Sequence, residues 1–374
     1  MRLRSVVLHS LFIFAMIGFF VMDVKAFQEY RRPDKTIKIG LLIPDKNSTA
    51  AKHGAEMAIK KANENGGLNG NPFRLVIRSM EGPWGTGSKQ AVDLIFQENV
   101  CAIMGSSDGR NGHLVEQVTT KAGIVFLSTW ASDPTLAQAF VPWYFTCVPN
   151  DLQQADAFIE EIYIKKRITR VATVSDKGYD SKLAVESFFK KTKLTGEADP
   201  LQLYYDPPGE DFIDLLDKIK KDEINAIVIF GNPSSSLRFI RQLRQSRMNQ
   251  SVFGALSILD ENELSGQDLK NYENVVLVSS GNWSGSMGIA FRKDFKQTYG
   301  IIPDEVASYS FDGMSLLLEA IRTGGPGRKE IQKSLKKIHF QGVTGPIQFD
   351  ARGKRVGVPF LIEIRNGIPA KLER

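Results

Sequence analysis

From residue 37 onward, short β-branched runs alternate with stretches whose apolar positions recur at helical spacing, the signature of parallel βαβ units. Ile37 to Ile43 reads as the first strand. The helix after it carries Ala51, Ala55, Ala58, Ile59 and Ala62 on one face and stops at Gly66-Gly67. Phe73 to Arg78 is the second strand. Helix Ala91 to Phe96, strand Val100 to Met104, helix Leu114 to Lys121 and strand Ile124 to Leu127 continue the alternation, and Trp143 to Cys147 closes this first sheet.

The pattern restarts after Pro149-Asn150. Helix Leu152 to Ile164, strand Val171 to Val174, helix Leu183 to Lys191, strand Leu201 to Tyr205, helix Phe212 to Ile219, strand Ala226 to Phe230, helix Leu237 to Arg247 and strand Val252 to Ala255 imply a second open α/β sheet. Strand Val275 to Val278 leads into two long helical stretches, Ile289 to Tyr299 and Val306 to Arg322. The close changes character. Gly345 to Phe349 and Pro359 to Arg365, separated by the turn-rich Asp350-Ala351-Arg352-Gly353, are expected to pair antiparallel with each other.

The N-terminus alters this picture by adding a compartment. Arg2 and Arg4 precede an apolar stretch from Val6 to Val21, and Val24-Lys25-Ala26 offers a small-x-small cleavage site. Residues 1–26 therefore read as a secretory signal cleaved after Ala26, with a retained anchor as the alternative, and the expected location is the periplasm. The remaining chain is longer than one core usually serves and suggests two domains.

The formal net charge of the 374 residues is +6. Lys60-Lys61, Lys165-Lys166, Lys190-Lys191, Lys220-Lys221 and Lys336-Lys337 lie toward the C-terminal ends of predicted helices, where they complement the helix dipole. No aromatic residues interleave with them, so nucleic acid is not expected as a partner. With only Cys101 and Cys147, both in apolar runs, the chain relies on its core and not on a disulfide framework. Free buried thiols are expected, though a bond between the two is conceivable.

Ligands of open parallel sheets bind beyond the carboxyl ends of the strands. Gly105-Ser106-Ser107-Asp108-Gly109-Arg110-Asn111-Gly112 occupies such a place, between a strand and a helix, where small residues and free N–H groups suit an anion such as a carboxylate. The same composition also fits a capped turn with nothing bound. The next strand ends in Ser128-Thr129-Trp130-Ala131-Ser132-Asp133-Pro134, and Trp84 lies in the loop after the second strand. The two tryptophans would wall an apolar pocket or pack under loops. Ser175-Asp176-Lys177-Gly178-Tyr179 and Gly231-Asn232-Pro233-Ser234-Ser235-Ser236 would form the opposing jaw.

Enzymatic chemistry is poorly supplied. His53, His113 and His339 are scattered, with no metal-ligand spacing and no nucleophile motif, and His113 reads as a surface residue. Gly82-Pro83-Trp84-Gly85-Thr86-Gly87-Ser88-Lys89 spaces two glycines as a phosphate loop does but reverses the lysine and hydroxyl that must follow. No catalytic residue, metal or cofactor is expected.

Ile37-Lys38-Ile39-Gly40, Gly66-Gly67-Leu68-Asn69-Gly70, Lys89-Gln90-Ala91-Val92 and Val343-Thr344-Gly345-Pro346-Ile347-Gln348-Phe349-Asp350, in that order, give the chain a recognisable likeness. It resembles the periplasmic leucine/isoleucine/valine-binding protein family, the type I solute-binding components of ABC transporters. The resemblance implies an α/β fold of two Rossmann-like lobes with parallel sheets joined by three crossovers, expected near Cys147 to Asn150, Ser279 to Gly281 and Val343 to Gly345. The lobes are then residues 27–148 plus 281–343 and residues 149–280 plus 344–374. It further implies permease subunits as partners and a small ligand: an amino acid, amide, carboxylate or small aromatic compound. A sensing or accessory binding protein not coupled to transport, or an enzyme on the same fold, are the rival readings.

By loop position and by the same resemblance together, the ligand-binding residues are Trp84, Ser106, Ser107, Asp108, Gly109, Trp130, Ala131, Ser132, Tyr179, Pro233, Ser234, Leu256, Ser257 and Phe311. Gly109 stands where amino-acid binders carry a carboxylate-binding serine, Leu256 or Ser257 where they carry the acid that holds the ammonium, and Phe311 where they often carry tyrosine. An ammonium enclosed without a carboxylate would be a costly buried charge. Asp108, Asp260 and Asp312 are the candidates for a displaced acid.

Overall fold

The computed structural model describes residues 36–138, 141–208, 211–259, 269–281 and 285–372. The expected signal, residues 1–26, and Asp260 lie outside the described residues. Among the described residues, no helix is long and apolar enough to cross a membrane.

The first sheet is built from β1 (Ile37–Ile43), β2 (Phe73–Ser79), β3 (Ala102–Gly105), β4 (Val125–Ser128) and β5 (Tyr144–Thr146), all parallel, in the order β2-β1-β3-β4-β5. Helices α1 (Thr49–Glu64), α2 (Thr86–Phe96) and α3 (Gly109–Ala122) connect its strands. Strands such as β1 bury residues on both faces because helices cover both sides, so Leu41 and Leu42 are fully buried.

The second sheet runs β14-β13-β10-β9-β8-β6-β7, in which β13 is Phe360–Arg365 and β14 is Ile368–Lys371. Its parallel part comprises β6 (Val171–Ser175), β7 (Leu201–Tyr204), β8 (Ala226–Phe230), β9 (Ser251–Gly254) and β10 (Val275–Ser279). Helices α4 (Asp151–Ile159), α5 (Tyr179–Thr195), α6 (Ile213–Lys221) and α7 (Pro233–Gln245) belong to this half, α4 continuing as a π-helical turn over Glu160–Lys165. Strand order reverses between β1 and β3 in one sheet and between β6 and β8 in the other. These are the two switch points at which an open sheet receives ligands.

After β10 the chain returns to the first half through α8 (Ser286–Tyr299), α9 (Glu305–Gly324) and α10 (Arg328–Leu335). The apolar pattern did not announce α10, whose buried residues are only Ile331 and Leu335. Helix α9 packs along α1 so closely that a Cβ on Gly54 would stand 2.2 Å from the carbonyl oxygen of Ala307. That glycine is a packing requirement, since any side chain there would force the helices apart.

The antiparallel close differs from expectation. β12 (Gly345–Ile347) pairs with β11 (Phe340–Gly342) and not with the final strands. β13 (Phe360–Arg365) instead joins the second sheet between β10 and β14 (Ile368–Lys371), antiparallel to both. Two local features decide this. The two-residue link Val343-Thr344 closes the first hairpin at once, and Asn366-Gly367, with φ of 53° and 69°, supplies the doubly left-handed turn that a tight hairpin needs. The Asp350 to Gly353 turn is real but closes only the isolated Phe349–Arg355 bridge.

The chain passes between the halves after β5, after β10 and between α10 and β13. A carboxylate or guanidinium straps each passage. Asp312 of α9, fully buried, accepts from the backbone N–H of Val343 at 2.9 Å and of Thr344 at 2.7 Å, and from the Thr344 hydroxyl at 2.5 Å. Glu305 accepts from the Ser279 hydroxyl at 2.8 Å and the Ser280 N–H at 2.7 Å. Arg355 donates to the Cys147 carbonyl at 2.9 Å and to the Thr344 hydroxyl and carbonyl at 3.0 and 2.6 Å, so it ties the first passage to the third. Cys101 and Cys147 are free thiols, and burial pushes both up to about 12.

Candidate functional site

The loops at the two switch points meet, and their meeting is built from helix starts. Asp108 caps α3 by accepting from the Asn111 N–H at 2.7 Å, which leaves the Gly109 N–H of the first turn pointing outward. Across the gap, Gly178 precedes α5, whose first residues are Tyr179 and Asp180. The Asp180 carboxylate accepts from the Gly109 N–H with both oxygens, at 3.1 and 3.2 Å. The Tyr179 hydroxyl donates to Asp133 Oδ2 at 3.2 Å. Arg110 lies with its guanidinium 5.5 Å from the Trp84 ring and 5.2 Å from the Tyr179 ring, a cation between aromatic faces.

Asp133 is the hub of the first jaw. It is buried, and besides Tyr179 it engages the Thr135 N–H at 2.7 Å, the Thr135 hydroxyl at 2.6 Å and His113 Nε2 at 3.1 Å. Burial opposes its ionisation, yet the bonds from His113 and Thr135 outweigh burial and hold its pKa below the usual carboxylate range. The bonds from Asp133 and Glu116 push His113 up to about 9, against burial, so the ring is cationic at neutral pH. The surface role expected for His113 is thereby replaced by an ion-paired one that holds the loop after β4 against α3.

In the second jaw, Asp176 accepts from the Gly178 N–H at 2.7 Å and the Asn232 N–H at 2.7 Å, which clamps the loops after β6 and β8 together. Asn232 caps α7 through the Ser235 N–H, with Pro233 at the first helical position. Pro233 and Ser234 are half-buried at that helix start, and the Ser234 hydroxyl faces Arg238 at 3.5 Å.

Two further carboxyls have unusual surroundings. Asp151, the first residue of α4, is fully buried; its Oδ1 has a long contact of 3.5 Å with Gln154 Nε2, and its Oδ2 has no hydrogen-bond partner among the described residues. Burial pushes its pKa well up, the nearby charges of Asp180 and Asp133 push the same way, and the Ser132 hydroxyl opposes them. Burial, with the charges of Asp108 and Asp133, raises Asp180 to about 6, although the Gly109 N–H and Arg110 favour its ionised form.

Of the residues anticipated from sequence, the structure brings Gly109 and Tyr179 into direct cross-jaw contact, places Trp84 and Asp108 beside them, and sets Ser132 against Asp151. Ser106 and Ser107 are buried at the end of β3, Ala131 is buried, and Trp130 is half-buried against the core. Leu256 is buried in the core, its N–H donating to Gln154 Oε1 at 2.8 Å, with Ser257 half-buried beside it. The structure does not bring Phe311 to this cluster. Its ring packs 4.7 Å from Phe291 with Lys61 above it, because a helix turns by about 100° per residue and Asp312 takes the face toward the crossover. Asp312 and Asp108 are likewise committed, to the third passage and to the α3 cap.

Sequence reading missed Asp133, Asp151 and Asp180 as a group. Asp133 and Asp180 each adjoin a singled-out residue, but only the topology brings them together. Among the described residues, no group of three or more His, Cys, Asp or Glu could hold a metal ion.

The comparisons with known proteins agree with this architecture. A family model described as periplasmic binding protein matches residues 36–362. A Leu/Ile/Val-binding protein homolog from Brucella melitensis is 25% identical over 333 residues, covering 86% of this chain and 87% of the relative. Among solved structures, the branched-chain amino acid transporter substrate binding protein of Streptococcus pneumoniae in complex with isoleucine superposes with a TM-score of 0.77 at 21% identity, covering 90% of this chain and 100% of that one. A solute binding protein of an ABC transporter from Rhodopseudomonas palustris in complex with 3,4-dihydroxybenzoic acid gives 0.78 at 18% identity, covering 91% and 96%. With two Rossmann-like lobes, three passages between them and a family match over nearly all described residues, the chain belongs to the periplasmic binding protein family.

Proposed function

We propose that this chain captures a small polar or amphipathic organic solute between its two lobes and presents the closed form to the permease subunits of an ABC importer. One observation carries the reading: the loops at the two switch points contact each other directly, Gly109 with Asp180 and Asp133 with Tyr179. A solute held between them touches both lobes only when they are closed, and such differential contact is what a ligand needs to shift the open–closed equilibrium. The two structural relatives, one in complex with isoleucine and the other with 3,4-dihydroxybenzoic acid, support a small organic solute and do not choose its class.

Binding without turnover is part of the proposal, as is the division into residues 27–148 plus 281–343 and residues 149–280 plus 344–374. The periplasm is the expected compartment of the family, and cleavage after Ala26 is the finer proposal, checked by the mass of the exported chain. Calorimetric screening of that chain against amino acids, amides, carboxylates, amines and small aromatic compounds tests the function. A folded chain that binds none of them, with unchanged small-angle scattering throughout, would overturn it.

A further inference from the structure

Resting on the solute-binding reading, we infer that the solute is an organic cation without a carboxylate, a primary amine, amidine or guanidine, whose charge settles against Asp151 and Asp180 between the lobes.

The first observation concerns the anion position. A backbone N–H at a helix start is the natural seat for a ligand carboxylate. Here the Gly109 N–H is already taken by both oxygens of the chain's own Asp180. A Cβ on Gly109 would stand 2.7 Å from Asp133 Cβ and 2.9 Å from Asp180 Oδ1. The space a side chain would fill at this position is thus held by two carboxylates of the protein, and a ligand carboxylate brought there would meet like charge.

The second observation is independent of the first. Asp151 is buried with one oxygen unpartnered among the described residues, an arrangement that costs free energy unless a donor arrives. The groups facing it are the Ser132 hydroxyl, Gln154, Asp133 and Asp180; those facing Asp180 are Asp108, the Gly109 N–H, Asp133 and Arg110. Arg110 is the one cation in either set, and it is held by the Trp84 and Tyr179 rings with no carboxylate within 4 Å among the described residues. His113 is cationic but already spent on Asp133 and Glu116. The cleft therefore holds two acids with no ion-pair partner within 4 Å among the described residues, Arg110 acting on Asp180 only from farther away, and a desolvated ammonium or guanidinium would donate charge-assisted hydrogen bonds to both.

The geometry also gives the reading a readout that simple packing would not. Burial and neighbouring carboxylates shift both Asp151 and Asp180 toward their protonated forms. A cation seated against them favours their ionised forms, so binding expels protons.

The test is calorimetry on the mature chain at pH 6.5 in two buffers of different ionisation enthalpy, with benzylamine, benzamidine and agmatine as cationic probes. Benzamide, benzoate and leucine are the neutral, anionic and zwitterionic controls. At least one cation is expected to bind at least about tenfold more tightly than every control, with net proton release. Asp151→Asn and Asp180→Asn, which keep shape and remove charge, are each expected to weaken that cation at least about tenfold. Proton release from the unmutated chain keeps the inference testable if a variant fails to fold. Tighter binding of benzoate, benzamide or leucine overturns the cation inference and leaves the solute-binding reading standing. Cation binding without proton release, or undiminished in both variants, also overturns it. If no probe binds at all, the cation inference falls, and the wider screen decides the reading beneath it.

Discussion

The hinge and the cleft are both made of buried polar groups, and they treat them in opposite ways. At the hinge, Asp312 takes three donors, Glu305 takes two, and Arg355 spends its guanidinium on backbone carbonyls of two passages. In the cleft, Asp151 keeps an oxygen without a partner among the described residues, and Asp180 sits among like charges. Buried polar groups are expensive unless satisfied, so a network completed by the protein is structure, whereas one left incomplete is an opening for something else. The difference separates the residues that hold the fold from those proposed to meet a solute, without any appeal to the solute itself.

The largest effect expected from this contrast lies at the hinge. Asp312→Ala leaves two backbone donors and a hydroxyl buried without their acceptor and should cost about 3–5 kcal/mol, read from urea unfolding. A loss below about 1 kcal/mol would show that the passages tolerate unpaired groups and would dissolve the contrast. Next comes Gly109→Ser. The added side chain displaces Asp180 and crowds Asp133, and a cost of about 1–3 kcal/mol is expected, with small-angle scattering reporting a more open molecule.

A smaller effect is expected from pH. His113 is raised from 6.5 to about 9 by Asp133 and Glu116, so its contribution is fully present below about pH 6.5 and is lost as pH rises through about 9. The Tm between pH 7 and pH 10 should fall about 2–4 °C further in the parent than in His113→Gln, and equal falls would remove the ion pair from the account. Smallest is Tyr179→Phe, which deletes the one hydroxyl bond that joins Tyr179 to Asp133 across the lobes. Ligand affinity should weaken by about 0.5–1.5 kcal/mol with unfolding unchanged.

Much of the fold was legible because helical and strand periods are local. The alternation gave the two sheets, and the break at Pro149-Asn150 marked the first passage. The closing strands were misjudged because their apolar patterns fit several partners, and the choice rested on Asn366-Gly367, a two-residue signal outweighed by the more conspicuous Asp350 to Gly353 turn. The cleft was half legible. Gly109 and Tyr179 were found from loop position and family likeness, while Asp180, next to Tyr179, and Asp151 were not. Whether a carboxylate is solvated or stranded depends on what folds over it, and no residue pattern along the chain encodes that. Phe311 is the reverse case, a residue named by the family resemblance whose ring helical rotation turns toward α1 and α8.

The straps at the hinge have a consequence for how such a molecule can change over generations. Arg355 and Asp312 hold mainly carbonyls and amides, groups that almost any residue at those positions would present equally well. The loops of the cleft can therefore diverge toward new solutes, one substitution after another, while the mechanical joint is inherited intact.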